Sequence, residues 1–287
     1  MLEEKTKESL IRRATIRAKI RGRQGLRNKP VSYQYPKGLE RKYVKTLRDV
    51  IRSINKKFND TIMTQLPRLM EEARKLNPQN EVRKDSWATK IIELSEAMTL
   101  FGDREVSSVD IMRFAAMISD YNDDQLGKVF RSVLGVDVLK SEPWLGPLLE
   151  SFAHENRKLI VSLEQRHLAD LEGIIQRGLQ DGKSINLLKQ DVRRRYGIAE
   201  RHARLIARDQ VGKLNGQLTK QRQAELGVKK FIWRTVKDER VREEHQELEG
   251  KVFEWDKPPS EGYPGQPINC RCIAEPVLDD ILKEVKA

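Results

Sequence analysis

Residues 231–255 read FIWRTVKDERVREEHQELEGKVFEW, and residues 268–276 read INCRCIAEP. Here the helical periodicity of the rest of the chain stops and rare residue types collect. Phe231, Ile232 and Trp233 are β-branched or aromatic and predict a short strand. Thr235 and Asp238 are helix-capping types, so a brief helix is expected next. Asp238 and Glu239 would oppose the positive end of its dipole, Arg240 would pair with Glu244, and Gly250 would end it. Lys251-Val-Phe-Glu-Trp255 predicts a second strand. Pro258, Pro259, Gly262, Pro264, Gly265 and Pro267 exclude regular structure from the loop that follows. Cys270-Arg-Cys272-Ile then reads as a third strand, ended by Pro276. A unit of about fifty residues with so few apolar side chains needs support from neighbouring helices or a staple.

His245, Cys270 and Cys272 are three of the four ligands of a common zinc site, and a structural zinc would be such a staple. Asp238 is a poor fourth ligand, because on a straight helix its Cα would lie about 10 Å along the axis from that of His245. Cysteines at i and i+2 of a strand face the same way, yet need a kink to bring both sulfurs to one ion. Two readings stand for a cluster of Trp233, Asp238, Arg240, His245, Cys270 and Cys272. Either zinc is held by His245, Cys270 and Cys272, or a packed cysteine pair lies beside a hydrogen-bonded histidine. A Cys–His–Asp triad has only residue types in its favour. With no Gly-rich phosphate loop or paired-carboxylate motif, no catalytic residue is assigned and no enzyme is expected.

These stretches resemble the C-terminal half of the phage Mu F-like minor head protein, or phage head morphogenesis, family. The matching residues are Glu155-Asn156-Arg-Lys-Leu-Ile, Gly182-Lys-Ser, Ala203-Arg-Leu-Ile-Ala-Arg, Trp233-Arg-Thr, Asp238-Glu-Arg-Val-Arg-Glu-Glu-His245, Leu248-Glu-Gly250, Pro264-Gly265 and Cys270-Arg-Cys272 to Pro276. Several matches in the right order over roughly half the chain are more specific than any one of them. Many members carry Thr or Glu where this chain has Asp209-Gln210. The resemblance implies a low-copy virion component of a tailed phage, inside the capsid or near the portal, made in the host cytoplasm during assembly. The partners it implies are the portal protein, the major capsid protein and DNA. A metal-dependent nuclease acting on phage DNA is the alternative, and would need a bound metal and an activated water.

Outward from the unit, the chain is helical. Ile185, Leu188, Val192 and Tyr196 form one apolar face, after an Asp181-Gly182-Lys183-Ser184 turn with Ser184 as N-cap. After Gly197 a further helix is expected from about Glu200 to Leu226, with Ala203, Ile206, Ala207, Val211, Leu214 and Leu218 inward and Arg222 mostly elsewhere. Gly135, Pro143, Gly146 and Pro147 punctuate the region before it. Val109 to Ile118 predicts a helix, and Trp87, Ile91, Leu94, Met98 and Phe101 another, ended by Gly102. Asn77-Pro78-Gln79-Asn80 marks a linker. Leu39, Tyr43, Leu47, Val50, Ile54 and Phe58 make a stripe that needs a partner surface in this chain or another, and Pro67 interrupts the apolar segment after it. His154, His167 and His202 have no paired ligand nearby and read as surface or core histidines.

The chain has 287 residues, 34% charged and 38% hydrophobic, with a formal net charge of +12. The first 29 residues carry +7 of that charge, through Lys5, Lys7, Arg12, Arg13, Arg17, Lys19, Arg21, Arg23, Arg27 and Lys29 against three acids. Leu10, Ile11, Ala14 and Ala18 recur at near-helical spacing before Gly22, Gly25 and Pro30. A helical or disordered basic arm is expected, able to meet double-stranded DNA without sequence specificity through Arg12, Arg13, Arg17, Lys19, Arg21, Arg23, Arg27 and Lys29. Arg193, Arg194 and Arg195 offer a second basic surface. Tyr33 and Tyr35 either stack on bases or pack against the chain. No apolar run approaches the ~20 residues that span a bilayer, so no membrane partner is expected. Two cysteines one residue apart cannot build a disulfide framework, consistent with a reducing compartment.

The expected fold is mainly α, with helical N-terminal and central regions and a small α+β C-terminal subdomain. Its parts are an arm and loop over 1–38, a helical region over 39–122, a central helical domain over 123–227, and the subdomain with its tail over 228–287.

Overall fold

The computed structural model describes residues 2–21, 31–75, 90–93, 96, 107–138 and 141–286. The elements are α1 (Leu2–Arg21), α2 (Lys37–Phe58), α3 (Leu66–Lys75), α4 (Ser108–Leu134), α5 (Leu145–Gln180), α6 (Ile185–Glu225), β1 (Lys230–Arg234), α7 (Glu243–Leu248), β2 (Val252–Glu254), β3 (Ile273–Pro276) and α8 (Asp279–Lys286). The chain is therefore mainly α with a small mixed C-terminal part. It divides into two compact units, one of Met1–Arg41, Met112–Phe152 and Arg208–Ala287, the other of Lys42–Ile111 and Ala153–Ala207. The expected linker at Asn77–Asn80, the Trp87, Leu94, Met98 and Phe101 positions with Gly102, and Gly22, Arg23, Gly25, Arg27, Lys29 and Pro30 lie outside the described residues.

In the second unit the stripe on α2 is spent on the chain's own core, where Tyr43, Leu47, Val50, Ile54 and Phe58 are all buried. A π turn over Asn59–Met63 follows α2 directly. Pro67 does not interrupt a helix; it is the second residue of α3, where a missing N–H costs nothing. Tyr43 donates its hydroxyl hydrogen to Asn156 at 2.9 Å, and Arg48 bonds Glu200 at 2.9 Å. Between α5 and α6, Gly182 takes φ +66°, and the N–H groups of Gly182 and Lys183 return to the carbonyls of Leu179 and Gly178. Those bonds satisfy the free carbonyls that end α5. The hydroxyl of Ser184 then accepts the Leu187 N–H at 3.4 Å. Gly197 does not divide the next helix, because α6 runs through it. A glycine costs a helix interior only about 1 kcal/mol relative to alanine, which the flanking buried residues offset.

In the first unit β1 is central, with the order β2-β1-β3 and both pairings antiparallel. Phe231 and Trp233 alternate inward along it, as its residue types predict. The α1 part of the basic N-terminus packs on one face. Leu10 and Ala14 of α1 are buried, and Lys7 pairs with Glu284 of α8 at 2.7 Å. The helix expected over Val109 to Ile118 extends through α4 to Leu134.

The polar centre of this unit corrects the expectation for Arg222, which is 1% exposed. Its guanidinium donates to Glu142 at 2.7 and 2.9 Å, to the Ser119 carbonyl at 2.8 Å and to Asn122 at 2.9 Å. The amide of Asn122 donates to the hydroxyls of Tyr33 and Thr219 at 2.9 and 2.7 Å. Tyr33 and Tyr35 are both buried, so neither stacks on a base here. Such a set is stable only when every member has its partner. Among the described residues, no helix is long and apolar enough to cross a membrane.

Candidate functional site

The site is built from α6 upward. Gly212 and Gly216 lie one turn apart in the middle of that helix, and the loop before β3 rests on them. A Cβ at Gly212 would meet the Cys270 carbonyl oxygen at 2.3 Å, and one at Gly216 would meet that of Pro264 at 2.5 Å. Other side chains of α6 fasten the same loop. The Asp209 carboxylate accepts the Asn269 N–H at 2.9 Å, and Lys220 lies 3.7 Å from the centre of the Tyr263 ring. Gln223 donates to the Ala274 carbonyl at 2.8 Å and accepts from the Trp255 indole at 3.2 Å.

The helix after β1 starts at Glu243, not beside Asp238. Lys237 turns the chain at φ +54°, and the Asp238 carboxylate accepts the Arg240 N–H at 3.1 Å and the Arg271 guanidinium at 2.7 Å. Partial burial works against ionisation of Asp238, but these bonds outweigh it and hold the carboxyl below its ordinary range. Asp238 thus anchors the residue between the two cysteines and is not drawn into their cluster. Arg240 is exposed at the rim.

Glu243 and Glu244 occupy the first turn of α7, and His245 faces inward, with its ring edge-on to Trp233 at 5.3 Å between centres. The cysteines are not in a strand, since β3 begins at Ile273. Asn269 at φ +57° bends the chain just before Cys270 and supplies the kink that a regular strand lacks. His245 Nδ1 lies 3.7 Å from Cys270 Sγ and 3.5 Å from Cys272 Sγ. The three donor atoms lie within 4.8 Å of one another, and all three residues are buried. Cys270 Sγ accepts the N–H groups of Gly265 and Cys272, each at 3.4 Å. The Cys272 thiol hydrogen-bonded to it, then His245 and these N–H groups, outweigh burial and hold the Cys270 thiol well below its ordinary range. Cys272, the partner that keeps its proton, is pushed up by that bond and by burial. His245 is raised, first by its bond to Cys270. The ring's other nitrogen, Nε2, faces Glu261 at 3.6 Å.

The expected basic residues are differently placed. On α1, Arg12 and Lys19 are exposed, Arg13 and Arg17 are half-buried, and Arg17 lies against Gly135. Arg193 and Arg194 of α6 are exposed, whereas Arg195 is largely buried against Asp170. Of the other histidines, His167 is buried and bonded to Asn55 at 2.7 Å, and His154 is exposed.

Sequence reasoning missed Gly212, Gly216, Gln223 and Glu261. The pair of glycines four apart inside a helix was the available signal, because a mid-helix glycine marks a close backbone approach.

A long helix carrying a small three-stranded unit with a buried His–Cys–Cys cluster defines a mainly helical protein with a small mixed C-terminal module. Over residues 169–275 the chain matches the family model described as Phage Mu protein F like protein. It is 32% identical over 169 residues to an uncharacterized protein of Haemophilus influenzae, an alignment covering 58% of this chain and 38% of that relative. No solved structure matches the chain.

Proposed function

We propose that this protein is a minor capsid protein of a tailed phage that works in head morphogenesis near the portal. Its partners are the portal protein, the inner face of the major capsid protein and packaged double-stranded DNA, which it meets without reading sequence. The observation that carries this is the Mu F-like match over residues 169–275. The net charge of +12 agrees with it, since a basic surface gains affinity for DNA by counterion release. Arg12, Lys19, Arg193 and Arg194 are exposed and available to phosphates. The α2 stripe is internal and leaves portal binding to other surfaces.

The test is a phage lacking this chain, examined by electron microscopy of its head particles. Misassembled or empty heads, restored when the protein is supplied in trans, are expected. Normal heads would overturn the proposal, and normal heads holding aberrantly cut DNA would favour a nuclease.

A further inference from the structure

We propose that His245 Nδ1, Cys270 Sγ and Cys272 Sγ bind one zinc ion that staples α7 to the loop before β3. This is independent of the role in the head. Zinc bonds of about 2.3 Å to sulfur and about 2.05 Å to nitrogen at tetrahedral angles put N and S roughly 3.5–3.6 Å apart. The His245 to cysteine separations of 3.5 and 3.7 Å are of that size. Two of the three edges among these buried donors therefore already stand near the lengths of a zinc tetrahedron, and the third, between the sulfurs, is no more than 4.8 Å.

The surroundings fit the same ion. Two N–H groups, from Gly265 and Cys272, point at Cys270 Sγ and stabilise charge on it. His245 Nε2 is buried without a hydrogen-bond partner, with the Glu261 carboxylate 3.6 Å away, so a small shift of Glu261 would let it hold the proton on Nε2 and leave the Nδ1 lone pair for the metal. Both sulfurs bind as thiolates, and whatever proton the pair still holds leaves to solvent. Two thiolates then balance the charge of the ion, so the buried site is neutral overall.

The fourth position opens on a small cleft of about 20 Å³ between Val236, residues 240–242, His245 and residues 269–272. That is room for one water. The side-chain oxygen of Asn269, another wall of the cleft, is buried without a hydrogen-bond partner and can accept from a metal-bound water. The helix α7, six residues long, and a loop with no regular structure are the parts that such a bond would tie together.

The untagged full chain, purified under reducing conditions without chelator, should carry one zinc per chain by elemental mass spectrometry. Cobalt(II) added to the metal-free chain should give the visible bands of a tetrahedral thiolate complex. In the Cys270→Ser/Cys272→Ser variant both signals should vanish, and added zinc, which raises Tm of the wild type, should leave the variant unmoved. If that variant does not fold, the wild-type zinc content and cobalt spectrum decide alone. A folded wild type that retains no zinc and gives no thiolate–cobalt bands overturns the proposal. So does an unchanged cobalt spectrum in a folded double variant.

Discussion

The carbonyl oxygen of Cys270 lies where a side chain on Gly212 would be, 2.3 Å from the position of its Cβ. The contact joins a loop backbone to a helix backbone, so neither side yields by turning a side chain. Gly212→Ala gains about 1 kcal/mol of helix propensity but must push the Cys270 turn away, for a net loss on the order of 2 kcal/mol. Gly216→Ala should act alike through Pro264. Gly146, with open space around its Cβ position, is the control, and its alanine variant should be neutral or slightly stabilising. Thermal or urea denaturation of the three variants measures this, and equal stability of Gly212→Ala and Gly146→Ala would remove the seat from the account.

Arg222 is held by Ser119 and Asn122 of α4 and by Glu142 in the loop after it, and Glu142 is its charged partner. Arg222→Met should destabilise the fold by roughly 3–5 kcal/mol, because it strands the carboxylate and the Asn122 acceptor. Adding Glu142→Gln should recover part of the loss. Fully additive losses in the double variant would mean that the two residues do not act as a pair.

His167 gives the second unit an acid-sensitive point. Burial, and next the charge of Arg195, lower its imidazole from 6.5 to about 4. Between those values the unfolded chain binds the proton and the folded chain does not, so stability falls as pH drops through this window. The loss is complete below about 4 and absent above 6.5. Its full size is roughly 3 kcal/mol. His167→Gln should flatten the slope of urea-unfolding free energy between pH 6.5 and 4, and an unchanged slope would assign the acid sensitivity to other groups.

The exposed charges on α1 should govern part of any DNA affinity. Each phosphate neutralised on duplex DNA contributes about −0.9 to the log–log salt slope. Arg12→Gln with Lys19→Gln should therefore reduce the slope by up to about 1.8, on unrelated duplexes alike. Both residues are exposed, so the helix keeps its buried Leu10 and Ala14 face. An identical slope in the double variant would place the DNA contact on other residues.

What could be read from sequence was periodic or local. The alternation at Phe231 and Trp233, the stripe on α2, the Ser184 turn and the gathering of His245, Cys270 and Cys272 in one small unit all follow from neighbours along the chain. What could not be read depended on distant partners. Asp238 looked like the first turn of a helix, but Arg271, 33 residues on, takes its carboxylate and the helix waits until Glu243. Arg222 looked like one more solvated base, yet Glu142 and Ser119 draw it inside. Glu261 sat in a loop whose sequence gave no sign of facing His245. The glycines of α6 were visible as a pair, but the backbone that rests on them was not.

The central claim, a structural place in the phage head, is tested most directly by quantitative mass spectrometry of gradient-purified DNA-free proheads and of mature virions from the same infection. A head component is predicted in the proheads at a few copies for each portal, and its copy number should not depend on the presence of DNA. Absence from both kinds of particle, with all of the protein in the soluble fraction, would contradict it.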